Sequence, residues 1–471
     1  MSTVALMAFP SNTFRSLLNL ALSSTFLVGT YSHAEEVSFY GQRGVVLKSE
    51  TTEPKIEFHR RAIAPPITPT ETIELDAIEH KVASESLLQV SSDAQKDKQE
   101  ARDLTRNELL LAKKAQFYIE QSRQANTGLW DSVRGYPHTT MWDVASGIGA
   151  TLALEGIGLR SSEVTLHELT QTLESLKKLP LYQNQLPNRE YSTKTGLPSG
   201  RLSQTPSNGN GWSALDIGRL LIWLDILKVK HPTLEEDVDA IINSWALERA
   251  VKDNTLYGTK LYKGREYYRQ EGRHGYLQYA IKGYQLFGYN IDNSAAEPFL
   301  DPVLINNIEV IKDNRNVPFF TSDPYVLGAI EFGIDPEWNQ LQDIYDLHKN
   351  FWLENKVLVS YGEDAMNKNP WFAYNNIYYY KKPWTSVSPS GKTIENPQQL
   401  SHKVAYGFSV LFDDEFSHAL AEEVTTNSLQ FRSISTGVYE DGGNNTAFNI
   451  NTNSLILVAL WYRSLGDRPI L

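Results

Sequence analysis

The chain contains no cysteine. That excludes disulfides, a thiolate metal site, a thiol nucleophile and a lipid-bearing cysteine. Past its first 34 residues it has no apolar run long enough to cross a bilayer as a helix, so no stable membrane insertion of the body is expected. Basic residues are the minority: 44 Lys+Arg stand against 56 Asp+Glu, a formal net charge of −12. This balance argues against nucleic acid or an anionic membrane as the main partner. The ten histidines are scattered and form no H-E-x-x-H pair, and no G-x-S-x-G elbow, P-loop or dinucleotide fingerprint is present. No metal and no cofactor are therefore expected.

What is present divides the chain into three parts. Residues 1–34 read as a secretory signal, with Arg15 as the only charge, an apolar stretch from Leu17 to Gly29, and Ser32-His33-Ala34 as a small-x-small cleavage site. Export to the periplasm is the corresponding expectation. Residues 35–100 are poor in aromatics, rich in Glu, Lys, Ser and Thr, and include Ala64-Pro65-Pro66-Ile67-Thr68-Pro69-Thr70. That composition predicts a disordered tether. Residues 101–471 are long enough for one large domain.

Within that domain the apolar spacing is helical. Leu104, Leu109, Leu110, Ala115 and Tyr118 begin the pattern; Trp142, Ala145, Gly149 and Leu152 continue it; Leu166–Leu179 and the run after Gly211-Trp212-Ser213-Ala214-Leu215-Asp216 follow. Further helices are predicted over 233–251, 276–287, 323–332, 336–353, 401–411, 414–424 and 452–465, with minor strands at 357–361 and 377–380. A long polar loop spans 180–211. No βα alternation occurs, so the expected fold is all-α, paired helices with a few short strands.

Carboxylates recur beside aromatics at the loop-to-helix junctions. Asp143 follows Trp142 three residues after Thr140, and Asp216 repeats the spacing with Ser213 and Trp212. Each acid would close a capping arrangement at a helix N-terminus, or work in a site. Glu271 lies in a loop between Arg269 and Arg273, Glu363 follows Tyr361-Gly362, and Glu440 follows Tyr439. A cleft lined by acids and tryptophans suits glycoside hydrolysis, in which one carboxyl protonates the leaving oxygen and another activates water or attacks. Glu271 is the expected general acid and Asp143 the base or water holder, with Glu440 and Glu363 as substitutes. Trp142, Trp212, Tyr191, Tyr276 and Trp371 would stack on sugar rings; Asn188, Asp216, Arg219, Arg273, Asn451 and Asn453 would meet hydroxyls. The partner implied is an oligo- or polysaccharide. A lyase using Tyr276 with Arg273 or His274 is a weaker alternative.

Five blocks carry a family resemblance: Thr140-Met141-Trp142-Asp143-Val144-Ala145-Ser146, Leu186-Pro187-Asn188-Arg189-Glu190-Tyr191, Gly211-Trp212-Ser213-Ala214-Leu215-Asp216-Ile217-Gly218-Arg219, Gln270-Glu271-Gly272-Arg273-His274-Gly275-Tyr276 and Asn451-Thr452-Asn453. Together they resemble the bacterial family of unknown function catalogued as 3131, from about Gln116 onward. The resemblance implies an (α/α)6 toroid over residues 101–471, distantly similar to the β-1,2-glucanases and a glucoamylase-like group, with a saccharide cleft and hydrolysis by inversion. It also marks two departures. Where relatives carry a second acid three residues after Asp143 this chain has Ser146, and where they carry Glu after Gly275-Tyr276 it has Leu277. These departures keep a non-catalytic saccharide-binding or polysaccharide-assembly protein in play beside the hydrolase.

Overall fold

Helices of two kinds organise the chain, and burial separates them. The computed structural model describes residues 101–200, 203, 209–315 and 319–471, so the expected signal and tether lie outside the described residues. Eleven α-helices occur among them: α1 (Arg106–Ser122), α2 (Met141–Gly156), α3 (Ser162–Lys178), α4 (Ala214–Lys230), α5 (Glu235–Ser244), α6 (Tyr276–Leu286), α7 (Asp323–Glu331), α8 (Leu341–Asn355), α9 (His402–Leu411), α10 (Glu415–Ser428) and α11 (Ile450–Ser464). Every residue of α2 from Met141 to Leu154 is buried, as is every residue of α7 and α9. In α1 only one stripe is buried, through Leu111, Ala115, Tyr118 and Ile119. A helix buried all round must be inside the molecule, whereas a striped helix leans on it from outside.

The inner helices follow one another in a closed succession: α2 packs on α4, α4 on α6, α6 on α7, α7 on α9, α9 on α11, and α11 returns to α2. Outside them, α3 lies against α2, α5 against α3 and α4, α8 against α7, α10 against α9, and α1 against α11. Small residues permit the closest of these approaches. A Cβ on Gly283 of α6 would overlap the carbonyl oxygen of Gly218 in α4, and one on Gly218 would lie 2.5 Å from the Ala280 oxygen. No helix is long and apolar enough to cross a membrane among the described residues.

Six small sheets supplement the helices among the described residues, more β-structure than the apolar periodicity predicts. Several strands lead directly into inner helices. His138–Thr139 precedes α2, Gln398–Ser401 precedes α9, and the hairpin of Thr255–Tyr262 with Arg265–Gln270 precedes α6. That hairpin and the pair Leu300–Ile305 with Ile308–Asp313 are absent from the sequence reading. Their signal lies in the turns: Lys263-Gly264 has φ of 51° and 74°, and Asn306-Asn307 has 46° and 63°, the left-handed pairs that two-residue hairpin turns require. The predicted strand at 357–361 reduces to one bridge between Ser360 and Leu400, while that at 377–380 belongs to a longer strand, Phe372–Tyr379. The helix expected over 233–251 stops at Ser244 and gives way to a 3-10 turn, Leu247–Ala250.

Candidate active site

Five of the six inner helices, all but α6, contribute to a pocket lined by Trp142, Arg219, Asp323, Glu363, Asp364, Lys403, Asn449 and Asn451, with Leu327, Ala365, Phe372 and Leu455 as its apolar walls. Its polar groups come from α2, α4, α7, α9, α11 and the strand Glu363–Ala365, so no single segment builds it.

On the α2 side, Asp143 is fully buried and closes a capping box. Its Oδ2 accepts from the Thr140 N–H and hydroxyl, each at 3.0 Å, which satisfies donors that a helix N-terminus otherwise leaves open. Its Oδ1 accepts from Asn451 Nδ2 at 3.1 Å. The capping role expected of Asp143 is therefore met, and through Asn451 the same carboxylate reaches the pocket wall. Ser146 donates to Asn451 Oδ1 at 2.7 Å and lies 3.5 Å from Arg219 Nη2. Arg219 pairs with the buried Glu331 at 3.0 Å, and its guanidinium sits 4.7 Å from the Trp142 ring. Glu331 also accepts from Trp223 Nε1 at 3.2 Å, and burial pushes its carboxyl upward against the opposing pull of Arg219.

On the opposite side Lys403 is the organising charge. Its ammonium lies 2.7 Å from Asp323 Oδ1 and 3.0 Å from Asp364 Oδ1, and it donates to the Glu363 carbonyl. Asp323 Oδ2 accepts from the Glu363 N–H at 2.9 Å. Asp364 Oδ2 accepts from Gln398 Nε2 and Ser401 Oγ, both at 2.6 Å. Burial drives the Asp364 carboxyl up to about 6, only partly opposed by Lys403, while neighbouring Asp323 adds to the rise. A buried ammonium that faces two carboxylates is retained as a cation by them; its own shift is upward although burial works against it.

The other expected site residues fall into distinct places. Glu271 is buried beside the start of α4: its Oε2 accepts from the Ala214 N–H at 2.6 Å and its Oε1 faces Arg189 at 3.3 Å. Desolvation raises its carboxyl, Arg189 lowers it, and Asp216 raises it again. Asp216 is in the first turn of α4, capped by Ser213. Trp212 is fully buried, donates to the Tyr257 carbonyl at 3.0 Å, and packs against Tyr182 and Tyr268. Asn188 and Tyr191 brace the 180–211 loop, both donating to the Pro180 carbonyl. Asn453 clamps Ile434 through the latter's N–H and carbonyl. Tyr276 meets Trp142 edge-on at 5.8 Å, behind the pocket wall. Arg273 donates to Gln270, and burial brings its guanidinium down to about 10. His274 is buried, hydrogen-bonded to Gln278, and desolvated down to about 4. Glu440 is exposed on a turn, and Trp371 is 38% exposed with a left-handed φ of 69°. Leu277 is wholly within the core.

The structure thus gathers Trp142, Arg219, Glu363 and Asn451, with Asp143 one hydrogen bond behind them, and leaves Glu271 and Asp216 as a separate buried pair. Asp323, Asp364 and Lys403 were missed as site residues. Only weak signals mark them: Asp323 opens α7 ahead of Pro324, and Lys403 stands one residue into a helix that is otherwise apolar apart from His402 and Ser409.

The model of the protein family of unknown function DUF3131 matches residues 110–466. This chain belongs to that family. No curated protein matches this DUF3131 chain. Among solved structures, it is similar to a protein named as a glucoamylase from Bacteroides fragilis, at 13% identity and TM-score 0.55 over 79% of this chain and 96% of that one. It is likewise similar to the endo-β-1,2-glucanase of Chitinophaga pinensis, solved with sophorotriose and glucose, at 11% identity and TM-score 0.55 over 76% and 93%. The endo-β-1,2-glucanase of Talaromyces funiculosus, solved with sophorose, gives 11% identity and TM-score 0.52 over 76% and 84%. At these identities the DUF3131 chain shares their fold, and the likeness extends no further.

Proposed function

We propose that this protein is an exported, glucan-active glycoside hydrolase of the periplasm, built as an (α/α)6 toroid in which a hairpin stands in for one outer helix. The closed succession α2–α4–α6–α7–α9–α11 supports the ring, and the fold shared with β-1,2-glucanases supports the substrate class. One observation carries the activity: Asp323, Glu363 and Asp364 meet Trp142, Arg219 and Asn451 in a single pocket. Glycosidic cleavage needs a carboxyl to protonate the leaving oxygen and a carboxylate to activate water on the other face of the sugar. We assign the first role to Glu363. Strand alternation turns it away from Asp364, whose two oxygens serve Lys403, Gln398 and Ser401. We assign the water-holding role to Asp323, an acceptor already for Lys403 and the Glu363 N–H that also lines the pocket. Trp142 offers an apolar face to a sugar ring, and Arg219 and Asn451 meet its hydroxyls. The chemistry moves from Glu271 to Glu363 in this assignment because Glu271 is enclosed by Arg189 and the start of α4.

A second reading, a saccharide-binding protein without turnover, rests on Ser146 and Leu277, which stand where the family resemblance implies acids. Incubation of the purified chain with β-1,2-, β-1,3-, β-1,4- and α-linked glucans, followed by assay of new reducing ends, separates the two. The hydrolase reading expects product from at least one glucan and a fall of about 100-fold or more in Glu363→Gln. Binding of a glucan with no product from any of them selects the second reading.

A further inference from the structure

We infer that the hairpin Thr255–Tyr262/Arg265–Gln270 is a docking strip for an acidic polysaccharide, a chain of sugars bearing carboxylate or other anionic groups. The overall charge of the protein argues for the opposite partner, so the local exception is informative. Between Lys252 and Gln270 five Lys/Arg stand against two Asp/Glu, in a chain whose net charge is −12.

The register sorts these residues onto two unlike faces. Gly258 is opposite Arg269, Lys260 opposite Tyr267 and Tyr262 opposite Arg265, so all six share one side of the ribbon. On the other side Tyr268 packs against Trp212 at 6.3 Å and Glu266 accepts from the Tyr182 hydroxyl at 2.9 Å. That side anchors the hairpin to the body and takes up one of its two acids. The first side is buried at Gly258, against Glu271 and Arg189, half-buried at Lys260, Tyr267 and Arg269, and exposed towards the turn at Tyr262 and Arg265; its cations rest on rings. Arg265 and Arg269 lie 5.3 and 4.7 Å from the Tyr267 ring, and Lys260 and Lys263 lie 5.9 and 5.4 Å from the Tyr262 ring. Neither Arg265 nor Arg269 forms an ion pair with an acid among the described residues. An exposed cation–π contact is worth only about 0.5–1 kcal/mol, so an arriving anion displaces little.

On this side Arg265, Tyr267 and Arg269 alternate cation and ring, and Lys260 with Tyr262 adds one of each, like-facing positions lying about 6.6 Å apart. A polymer that matches this carries flat apolar faces and regularly spaced negative charge, as an acidic polysaccharide does. A broad anionic surface such as a membrane would meet repulsion from the acidic remainder of the chain. The choice of a sugar polymer among polyanions rests on the saccharide reading above; the strip itself does not.

Affinity electrophoresis of the full chain through gels containing alginate, polygalacturonate or neutral dextran tests the inference, alongside titration with a single-stranded DNA oligonucleotide and co-sedimentation with phosphatidylglycerol vesicles. The expected result is retardation by both acidic polymers, none by dextran, and at least tenfold weaker retention of Arg265→Gln/Arg269→Gln and of Tyr267→Ala. Arg265→Lys/Arg269→Lys should recover most of the retention, which separates lost charge from lost fold. Absence of retardation at low salt, retention unmoved by these variants, or tighter binding of DNA or vesicles than of either polymer overturns it. Binding of alginate by Glu363→Gln, with glucan hydrolysis abolished, keeps this inference distinct from the hydrolase reading.

Discussion

Ser146 donates a 2.7 Å hydrogen bond to Asn451, joining the second turn of α2 to the first turn of α11 across 305 residues of sequence. The same amide donates to Asp143 at 3.1 Å, so Asn451 is the joint between a helix cap and the pocket wall. Asn451→Ala would leave a buried carboxylate oxygen and a buried hydroxyl each short of a partner, at a cost of about 1–3 kcal/mol. Thermal unfolding should show the loss, and glucan affinity should fall in the same variant because Asn451 also lines the pocket.

Lys403 sits between Asp323 and Asp364 and is itself buried. Lys403→Met would strand two buried carboxylates beside each other. Removing one member of such a cluster typically costs about 3–5 kcal/mol, because the remaining charges stay buried without compensation. Urea denaturation at pH 7 should register it, and the double variant Lys403→Met/Asp364→Asn should recover part of the loss. Equal stability of wild type and Lys403→Met would show that the cluster is not closed to water.

His348 accepts the Tyr361 N–H at 3.0 Å through Nε2, and its Nδ1 faces the Ile344 carbonyl at 2.7 Å. The ring is therefore neutral, with the proton on Nδ1, and burial holds it down at about 4. Its unfolded value is about 6.5, so the unfolded chain binds the proton more readily across that interval. The stability it confers is present above 6.5 and is lost as pH falls towards 4, at about 1.4 kcal/mol per pH unit. His274 and His402 are also desolvated to about 4 and act in the same direction. Asp364, raised to about 6, acts oppositely: its contribution improves as pH falls through that value. Compared with wild type, denaturation midpoints between pH 4 and 7 should therefore lose less with acid in His348→Gln and more in Asp364→Asn.

Gly283 faces the Gly218 carbonyl where α6 crosses α4. The obstacle is backbone, which cannot swing aside as a side chain can. Gly283→Ala should therefore separate the helices and destabilise the protein by about 1–3 kcal/mol, measurable as a lower melting temperature. A gain in stability, as expected for Ala over Gly in an unhindered helix, would contradict the close crossing.

Most of the helical framework was legible because it depends on local rules. Thr140, Ser213 and Asn449 each accept from a backbone N–H three residues on, and the apolar spacing after them continues a helix in any surroundings. The expected cap at Asp143 needed only that local geometry. The hairpins were less visible, since Tyr, Lys and Arg in alternation do not form an apolar pattern and only their turn residues announce them.

The sequence alone determined which segments are helical and that no thiol chemistry could occur, because propensity, capping and composition act within a few residues. It could not rank the acids. Glu271, Asp143 and Glu363 all stand beside aromatics or glycines in the sequence, yet tertiary packing encloses the first, sets the locally capping second one hydrogen bond behind the pocket and lines the pocket with the third. Lys403 and Asp364, separated by 39 positions in the chain, became partners only when α9 closed against α7 and the strand Glu363–Ala365. Burial and charge pairing are properties of that assembly, and they decide which carboxylate is held, which is shielded and which can work.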